Sequence, residues 1–444
     1  MLPMVFSNIP QRALIATTAL VLMVACAAEP HQAVQPVSFN ANPATPVPVT
    51  PATRATQPER PLTQGAIEEA PATEESFTQW CHRFRAEALA AGIDASVFDQ
   101  AFKGLQPDPE VVASDRSQPE FSRPVWEYLE GALSLPRISI GQRLLNQYEA
   151  LLKQLEAKYG VSRHILVAIW GMESSFGRNI GDKSVIRSLA TLAHEGRRPD
   201  FAKTQLLAAL KILQNGDISL ERMQGSWAGA MGQTQFIPTT YQDYAVDFDG
   251  DGRRDIWDSV ADALASTAHY VQASGWDNRH TWGFEVHLPK NFDYALADPD
   301  IRKPLTDWRR LGVIIPSLPG QDAALGTLVL PAGYRGPAFL VLDNFRAILQ
   351  YNNSTSYALA INLLAERFNG GGRILARWPK EQRILSRSER LELQTRLNEL
   401  GFNSGVPDSI IGANTRRAIR AYQQQLGWPA DGYPTPELLA QLRR

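Results

Sequence analysis

From Gln142 to Tyr159, the residues Leu144, Leu145, Tyr148, Leu151, Leu152, Leu155 and Tyr159 recur at helical spacing. With Gly160 as a stop, the pattern predicts one amphipathic helix. A second helix is predicted at once: Ser162 as cap, Arg163 to Phe176 as body, Gly177 as stop. Leu166, Ile169 and Trp170 stand seven, four and three residues before Glu173 and so share its face. A carboxylate closing an apolar stripe is unusual, because burying an unpaired charge is costly. The usual escape is a raised pKa that keeps the group protonated near neutral pH. Such an acid in an apolar cleft suits general-acid cleavage of a sugar linkage. The competing reading is a glutamate facing solvent at a frayed helix end.

The same periodicity predicts helix around Phe77, Trp80, Phe84, Leu89, Val97, Phe98 and Phe102, over Gln205 to Leu213, and over Val260 to Val271. Between Trp282 and Leu342 the pattern changes. Phe284 to Leu288, Leu325 to Leu330 and Ala338 to Leu342 alternate or run apolar between Pro/Gly breaks, which predicts short strands. Helix resumes over Ala358 to Phe368, with Ser354 as a cap, and Gly370-Gly371-Gly372 ends that body. A small unit follows from about Ser386. Leu391, Leu397 and Leu400 mark one helix stopped by Gly401. Thr415 to Leu426 marks a second, with Ala418, Ile419 and Tyr422 inward, and Thr435-Pro436-Glu437 caps a third. The expected fold is mainly α: a helical body with a small inserted β subdomain and a C-terminal three-helix domain.

Composition narrows the function. At 444 residues, with 44% hydrophobic and 20% charged, the chain has room for two or three globular domains. The formal net charge is −2 and no basic block stands out, which argues against a nucleic-acid partner. Cys26 and Cys81 are the only cysteines, so there is no disulfide scaffold and no zinc spacing. Ten tryptophans and twelve tyrosines supply flat faces for sugars, though core packing claims many of them.

Arg12 precedes an apolar run from Ala13 to Ala25, the length of a signal-peptide core and too short to span a membrane. Its end, Met23-Val24-Ala25-Cys26, resembles a bacterial lipobox, although Met23 stands where Leu is preferred. The resemblance implies lipidation at Cys26 and a membrane anchor there. Ala27, in place of an aspartate, implies an outer-membrane lipoprotein facing the periplasm. The alternative is an ordinary cleaved signal peptide. Residues 1–26 are thus read as signal peptide and lipobox, and 27–74 as a disordered Pro/Ala/Thr-rich tether, with nine prolines from Pro30 to Pro71. At ~3 Å per residue, such a tether reaches on the order of 100 Å when stretched.

Asp247 to Asp258 reads D-F-D-G-D-G-R-R-D-I-W-D. Side-chain oxygens fall at positions 1, 3, 5, 9 and 12 of an EF-hand-like loop: Asp247, Asp249, Asp251, Asp255 and Asp258. Gly252 takes position 6, and Arg253 would give its carbonyl from position 7. Asp258 is shorter than the usual bidentate Glu. The reading is a structural calcium site; a solvated Asp/Gly turn is the alternative.

The stretch Gly225-Ser226-Trp227-Ala228-Gly229-Ala230-Met231-Gly232-Gln233-Thr234-Gln235-Phe236 holds many small residues that let the backbone approach closely. Close packing explains the glycines but not Ser226, Gln233 and Gln235. A helix ending in Glu173-Ser174, followed some fifty residues later by Ser-x-Ala-Gly-Ala-Met-Gly-x-x-Gln-Phe, resembles the lytic murein transglycosylases of the B family. The resemblance implies a lysozyme-like helical catalytic domain over residues 75–378, cleaving the glycan strand of peptidoglycan. It implies Glu173 as catalytic acid and base, and Ser226, Gln235, Phe236, Arg197, Arg198 and Tyr270 as site residues. Tyr351-Asn352-Asn353-Ser354-Thr355-Ser356-Tyr357 is similar to a family segment in which Tyr351, Asn352 and Tyr357 reach the cleft. Residues 386–444 resemble a peptidoglycan-binding domain.

A hydrolytic glycosidase usually pairs its acid with a second carboxylate. None stands beside Glu173; Asp182, beyond Gly177 and Gly181, reads as a loop cap. One acid is enough if the substrate supplies the rest, and the family resemblance implies a non-hydrolytic reaction that gives 1,6-anhydromuramoyl products without a catalytic cofactor; a monomer is expected. The alternatives are a lysozyme-type hydrolase on the same fold, or a non-catalytic lipoprotein that only tethers a membrane to peptidoglycan.

Overall fold

The computed structural model describes residues 75–117, 123–371 and 373–444. The signal segment, Cys26 and the tether lie outside the described residues. At the centre is the Arg163–Ser174 helix, in which every residue from Ile165 to Ser174 is buried. A helix apolar all round belongs in a core. Here it packs against the Leu135–Gln147, Glu149–Tyr159, Val260–Ala273 and Thr355–Phe368 helices. The Thr355–Phe368 helix is itself buried over Tyr357–Ala365 and is capped by Ser354, whose hydroxyl accepts the Tyr357 N–H.

The run from Gln142 to Tyr159 is two helices, not one. It breaks at Tyr148, where φ is −104° and ψ is 24°. The Tyr148 ring stands edge-on to Trp170 at 5.8 Å. The bend keeps Leu145 inward before it and Leu152, Leu155 and Tyr159 inward after it. Periodicity cannot register such a break, because the apolar spacing continues through it. The Asp343–Tyr351 helix, not read from sequence, leads into the Tyr351–Tyr357 segment.

The β subdomain is a four-stranded antiparallel sheet in the order Gly283–Val286, Ala338–Val341, Leu325–Val329, Lys303–Pro304. It has its own core around Leu305, Trp308, Leu328 and Leu340. The three longer strands match the sequence pattern; the two-residue strand was too short to show a period.

The C-terminal unit consists of the helices Arg387–Glu399, Ala413–Gln425 and Pro436–Leu442. Its core includes Leu393, Leu397, Ala418, Ile419, Tyr422 and Leu438. Leu391 and Leu400, which helped to mark the first helix, are 43% and 55% exposed. The unit docks on the β subdomain. Arg420 pairs with Asp298, both almost buried, and donates to the Ala297 carbonyl at 3.2 Å. Asp431 accepts the Tyr334 N–H at 2.8 Å. Among the described residues no helix is long and apolar enough to cross a membrane.

Candidate active site

The Glu173 helix ends sharply. Ser175, Phe176 and Gly177 are consecutively left-handed, with φ of 50°, 63° and 78°. The helix therefore stops at Ser174 rather than Phe176. Two of these residues carry a Cβ, and each costs about 1–2 kcal/mol in that region. The Trp170 carbonyl accepts from the Ser175 and Phe176 amides and so holds the turn. The fold-back lays the Phe176 ring on Gly171, where an added Cβ would come within 2.7 Å of it. A small residue at 171 is what lets the turn close.

Ser174 is fully buried and locks this end in place. Its hydroxyl donates to the Gln233 carbonyl at 2.8 Å and accepts the Gly177 N–H at 2.9 Å. Gln233 in turn accepts from the Trp170 indole at 2.9 Å and donates to the Trp257 carbonyl at 3.0 Å. Its own N–H reaches the Ile256 carbonyl at 2.9 Å. Gln233 thus ties the small-residue segment to both the Glu173 helix and the exit of the acidic loop. Its polarity amid glycines was the only sequence sign of this.

Glu173 is 7% exposed. Tyr357 donates its hydroxyl to Glu173 Oε1. The other oxygen, Oε2, is buried without a hydrogen-bond partner among the described residues. Burial pushes the carboxyl up to about 8, against the opposing pull of the Tyr357 bond. Among the described residues no other carboxylate and no cation contributes to that shift. Glu173 also pushes the Tyr128, Tyr351 and Tyr357 phenols up, after burial as the first cause in each, so all three stay neutral beside it. Tyr128 was not singled out in the sequence; it lies on the Val125–Ala132 helix, apart from every motif.

The structure brings several other sequence-marked residues together around this acid. Tyr351 and Tyr357 stack at 6.5 Å, Tyr351 lies 5.2 Å from Tyr270, and Phe236 touches both Tyr270 and Tyr351. The Tyr351 hydroxyl donates to the Thr234 carbonyl and that of Tyr270 to the Gln350 carbonyl, both at 2.7 Å. Ser226 and Gln235 are buried, and their polar groups are used on backbone. Ser226 Oγ accepts the Ala230 N–H at 3.0 Å, and Gln235, left-handed at φ 52°, donates to the Ile180 and Gly232 carbonyls. Asn352 is half-buried at the end of the Asp343–Tyr351 helix. Arg197 and Arg198 lie at the turn after Glu195. Arg197 pairs with Asp115 at 3.2 Å, and Arg198 lies over the Phe201 ring.

In the acidic loop, the carboxylates of Asp247, Asp249 and Asp251 converge, all within 4.8 Å of one another. The side chains at the other predicted positions are held by protein partners. Asp255 accepts the Trp257 and Asp258 amides, Asp258 pairs with Arg222, and the Arg253 side chain pairs with Asp251. Beneath the loop, fully buried Asp262 accepts the amides of Phe248, Asp249 and Asp255. The converging oxygens suit a hard cation.

A family model described as Transglycosylase SLT domain matches residues 76–366. The chain belongs to this family. A second model, described as putative peptidoglycan binding domain, matches residues 386–442. The membrane-bound lytic murein transglycosylase B of Escherichia coli (strain K12) is 35% identical over 223 residues, 49% of this chain and 59% of that protein, so the chain spans under two thirds of that curated relative. The structure of SltB3 from Pseudomonas aeruginosa in complex with NAG-anhNAM-pentapeptide is 62% identical, with a TM-score of 0.81, covering 83% of this chain and 100% of that one. The Escherichia coli lytic transglycosylase Slt35 in complex with calcium is 27% identical, with a TM-score of 0.57, covering 65% of this chain and 92% of that one. Membership of the SLT family agrees with the mainly helical, lysozyme-like body.

Proposed function

We propose that this SLT-family chain is a peptidoglycan lytic transglycosylase in which Glu173 acts as acid and then as base. The observation that carries this reading is a buried carboxyl that accepts from Tyr357 on one oxygen, keeps the other unpartnered among the described residues, and is pushed up to about 8 by burial. Oε2–H protonates the bridging oxygen between MurNAc and GlcNAc as the bond to the anomeric carbon breaks. The substrate's acetamido group stabilises the resulting cation. Glu173, now a carboxylate, takes the proton from the muramoyl C6 hydroxyl, whose oxygen bonds to the anomeric carbon. The intramolecular nucleophile gains from being held in place, and no water is consumed. Tyr357 supports the carboxylate stage. Phe236, Tyr270 and Tyr351 wall the cleft, and Ser226 and Gln235 shape its floor by fixing backbone. Asn352, Arg197 and Arg198 contact the strand farther out.

Mass spectrometry of digested sacculi tests the reaction. Anhydromuropeptides are expected; products one water heavier would make the chain a hydrolase, and no products would make it a binder.

Activity is expected to hold through neutral pH and to fall as pH rises past about 8, where the acid form is lost. The Tyr357 bond favours the carboxylate, so Tyr357→Phe raises the Glu173 pKa further. Its alkaline limb moves to higher pH while the plateau rate falls by about tenfold or more. A pH–rate profile that keeps its limb in place would remove Tyr357 from this role.

We also assign Asp247, Asp249 and Asp251 as the core of a structural calcium site, completed by the loop's carbonyls. Calcium at about a hundredfold over its Kd adds about 2.7 kcal/mol of stability. Melting should rise by a few degrees with calcium, and Asp251→Asn should abolish the rise while leaving calcium-free melting unchanged. Cys26 and the tether support anchoring to the outer membrane facing the periplasm; radiolabelled palmitate incorporation that survives Cys26→Ser would exclude it.

A further inference from the structure

We infer that the seam between the β subdomain and the C-terminal unit is a second glycan site, distinct from the Glu173 cleft, that holds an N-acetylated amino sugar. This rests on the proposed action on peptidoglycan. A cavity of about 330 Å³ opens there. Its walls come from three parts of the chain: Tyr334 and Arg335 from the β subdomain, Gln382 from the linker, and Trp428, Tyr433 and Glu437 from the C-terminal unit. Trp428 and Tyr334, both large aromatics, remain 38% and 36% exposed while lining this one cavity. Flat apolar faces with a few polar groups between them are the makings of a ligand pocket.

The polar groups select the ligand. The Gln382 amide nitrogen is buried without a hydrogen-bond partner among the described residues. An orphaned buried donor is costly, and a ligand acceptor such as an acetamido carbonyl would satisfy it. Glu437 offers an acceptor for sugar hydroxyls. Of the charged residues that line the cavity, Arg335 and Asp431 are engaged within the protein, and Glu437 is left to accept from a ligand. Arg335 lies over the Tyr334 ring at 5.3 Å and donates to its hydroxyl at 3.1 Å. Asp431 gives one oxygen to Gln423 and the Tyr433 N–H and the other to the Tyr334 N–H. An uncharged ligand rich in hydroxyls fits better than a peptide. The walls are fixed in advance by the Arg420–Asp298 pair and by the Asp431–Tyr334 bond, so little ordering is required on binding.

The test titrates the full chain carrying Glu173→Gln with chitotetraose by calorimetry, and counts sites. Two equivalents are expected, one in the cleft and one at the seam. Trp428→Ala and Tyr334→Ala, each added singly, should reduce binding to one equivalent with unchanged melting. One equivalent throughout, unaffected by either substitution, overturns the seam site while leaving the cleft reading intact. Loss with Trp428→Ala but not with Tyr334→Ala also overturns it, because the site would then belong to the C-terminal unit alone. Binding of a free stem tetrapeptide at the seam in place of the sugar overturns the ligand class. If one equivalent is bound and the seam substitutions remove it altogether, the cleft reading fails instead.

Discussion

Glu173→Gln should abolish cleavage of purified sacculi and, in the same sample, raise the melting temperature. The two effects have one cause. Gln is close in shape to the protonated acid, so Tyr357 still donates to an oxygen and the fold is kept. The amide cannot release or recover a proton. General acid–base catalysis is worth about 10²–10⁴-fold, and here one residue serves in both directions, so a loss of at least about 10³-fold is expected.

The stability effect follows from linkage. In the unfolded chain the carboxyl titrates near 4.5, in the folded chain near 8. Between those values the native state holds a proton that the unfolded state has released, so stability falls as pH rises through the window. Each unit is worth 1.36 kcal/mol, which makes the cost about 3 kcal/mol at pH 7 and about 5 kcal/mol above pH 8. The contribution is fully present below pH 4.5 and lost by pH 8. Glu173→Gln removes the penalty, so it should melt several degrees higher at pH 8 and no higher at pH 4. Equal melting at both pH values would show that the carboxyl ionises without cost, and the acid role would lose its basis.

Asp262→Ala, beneath the acidic loop, is expected to destabilise the protein more than substitution of any of the loop's exposed aspartates. Asp262 is fully buried and receives three amides of the loop at 2.8, 3.3 and 2.9 Å. Removing the carboxylate strands all three donors, at about 1–3 kcal/mol for each buried one left unsatisfied. A loss of about 3–5 kcal/mol follows, because the loop will relax and some donors will find water. The damage should also reach the cleft, since Ile256 and Trp257 beside Asp255 hold Gln233, and Gln233 holds Ser174 and Trp170. Cleavage should drop even at temperatures where the variant is folded. If Asp262→Ala melted within 1 kcal/mol of the parent, the loop would not depend on this anchor.

Much of this was legible along the chain. The helix carrying Glu173 could be read because its apolar positions repeat at a local spacing. The strands of the β subdomain and the helices of the C-terminal unit showed themselves in the same way. The convergence of the loop's first three aspartates was legible because they alternate within a few residues. What was missed depends on partners far away in sequence. Tyr128 feels the charge of Glu173 from another helix, Asp262 is defined by amides of the preceding loop, and the break at Tyr148 reflects a ring packed on Trp170. For Asp255 and Asp258, spacing records only which residues could point inward; in this structure Arg222 and local amides hold their carboxylates.

The sequence alone determined that an acid closes an apolar helix, that a small-residue segment and an acidic loop follow it, and that the small-residue segment holds no second carboxylate. These are properties of neighbours, and short-range periodicity carries them. Only the tertiary structure decided that the acid is shut away from water with one oxygen bonded to Tyr357 and the other left open. Desolvation is the sum of everything packed around a group, and here those surroundings come from helices far apart in the sequence, so no local window contains it.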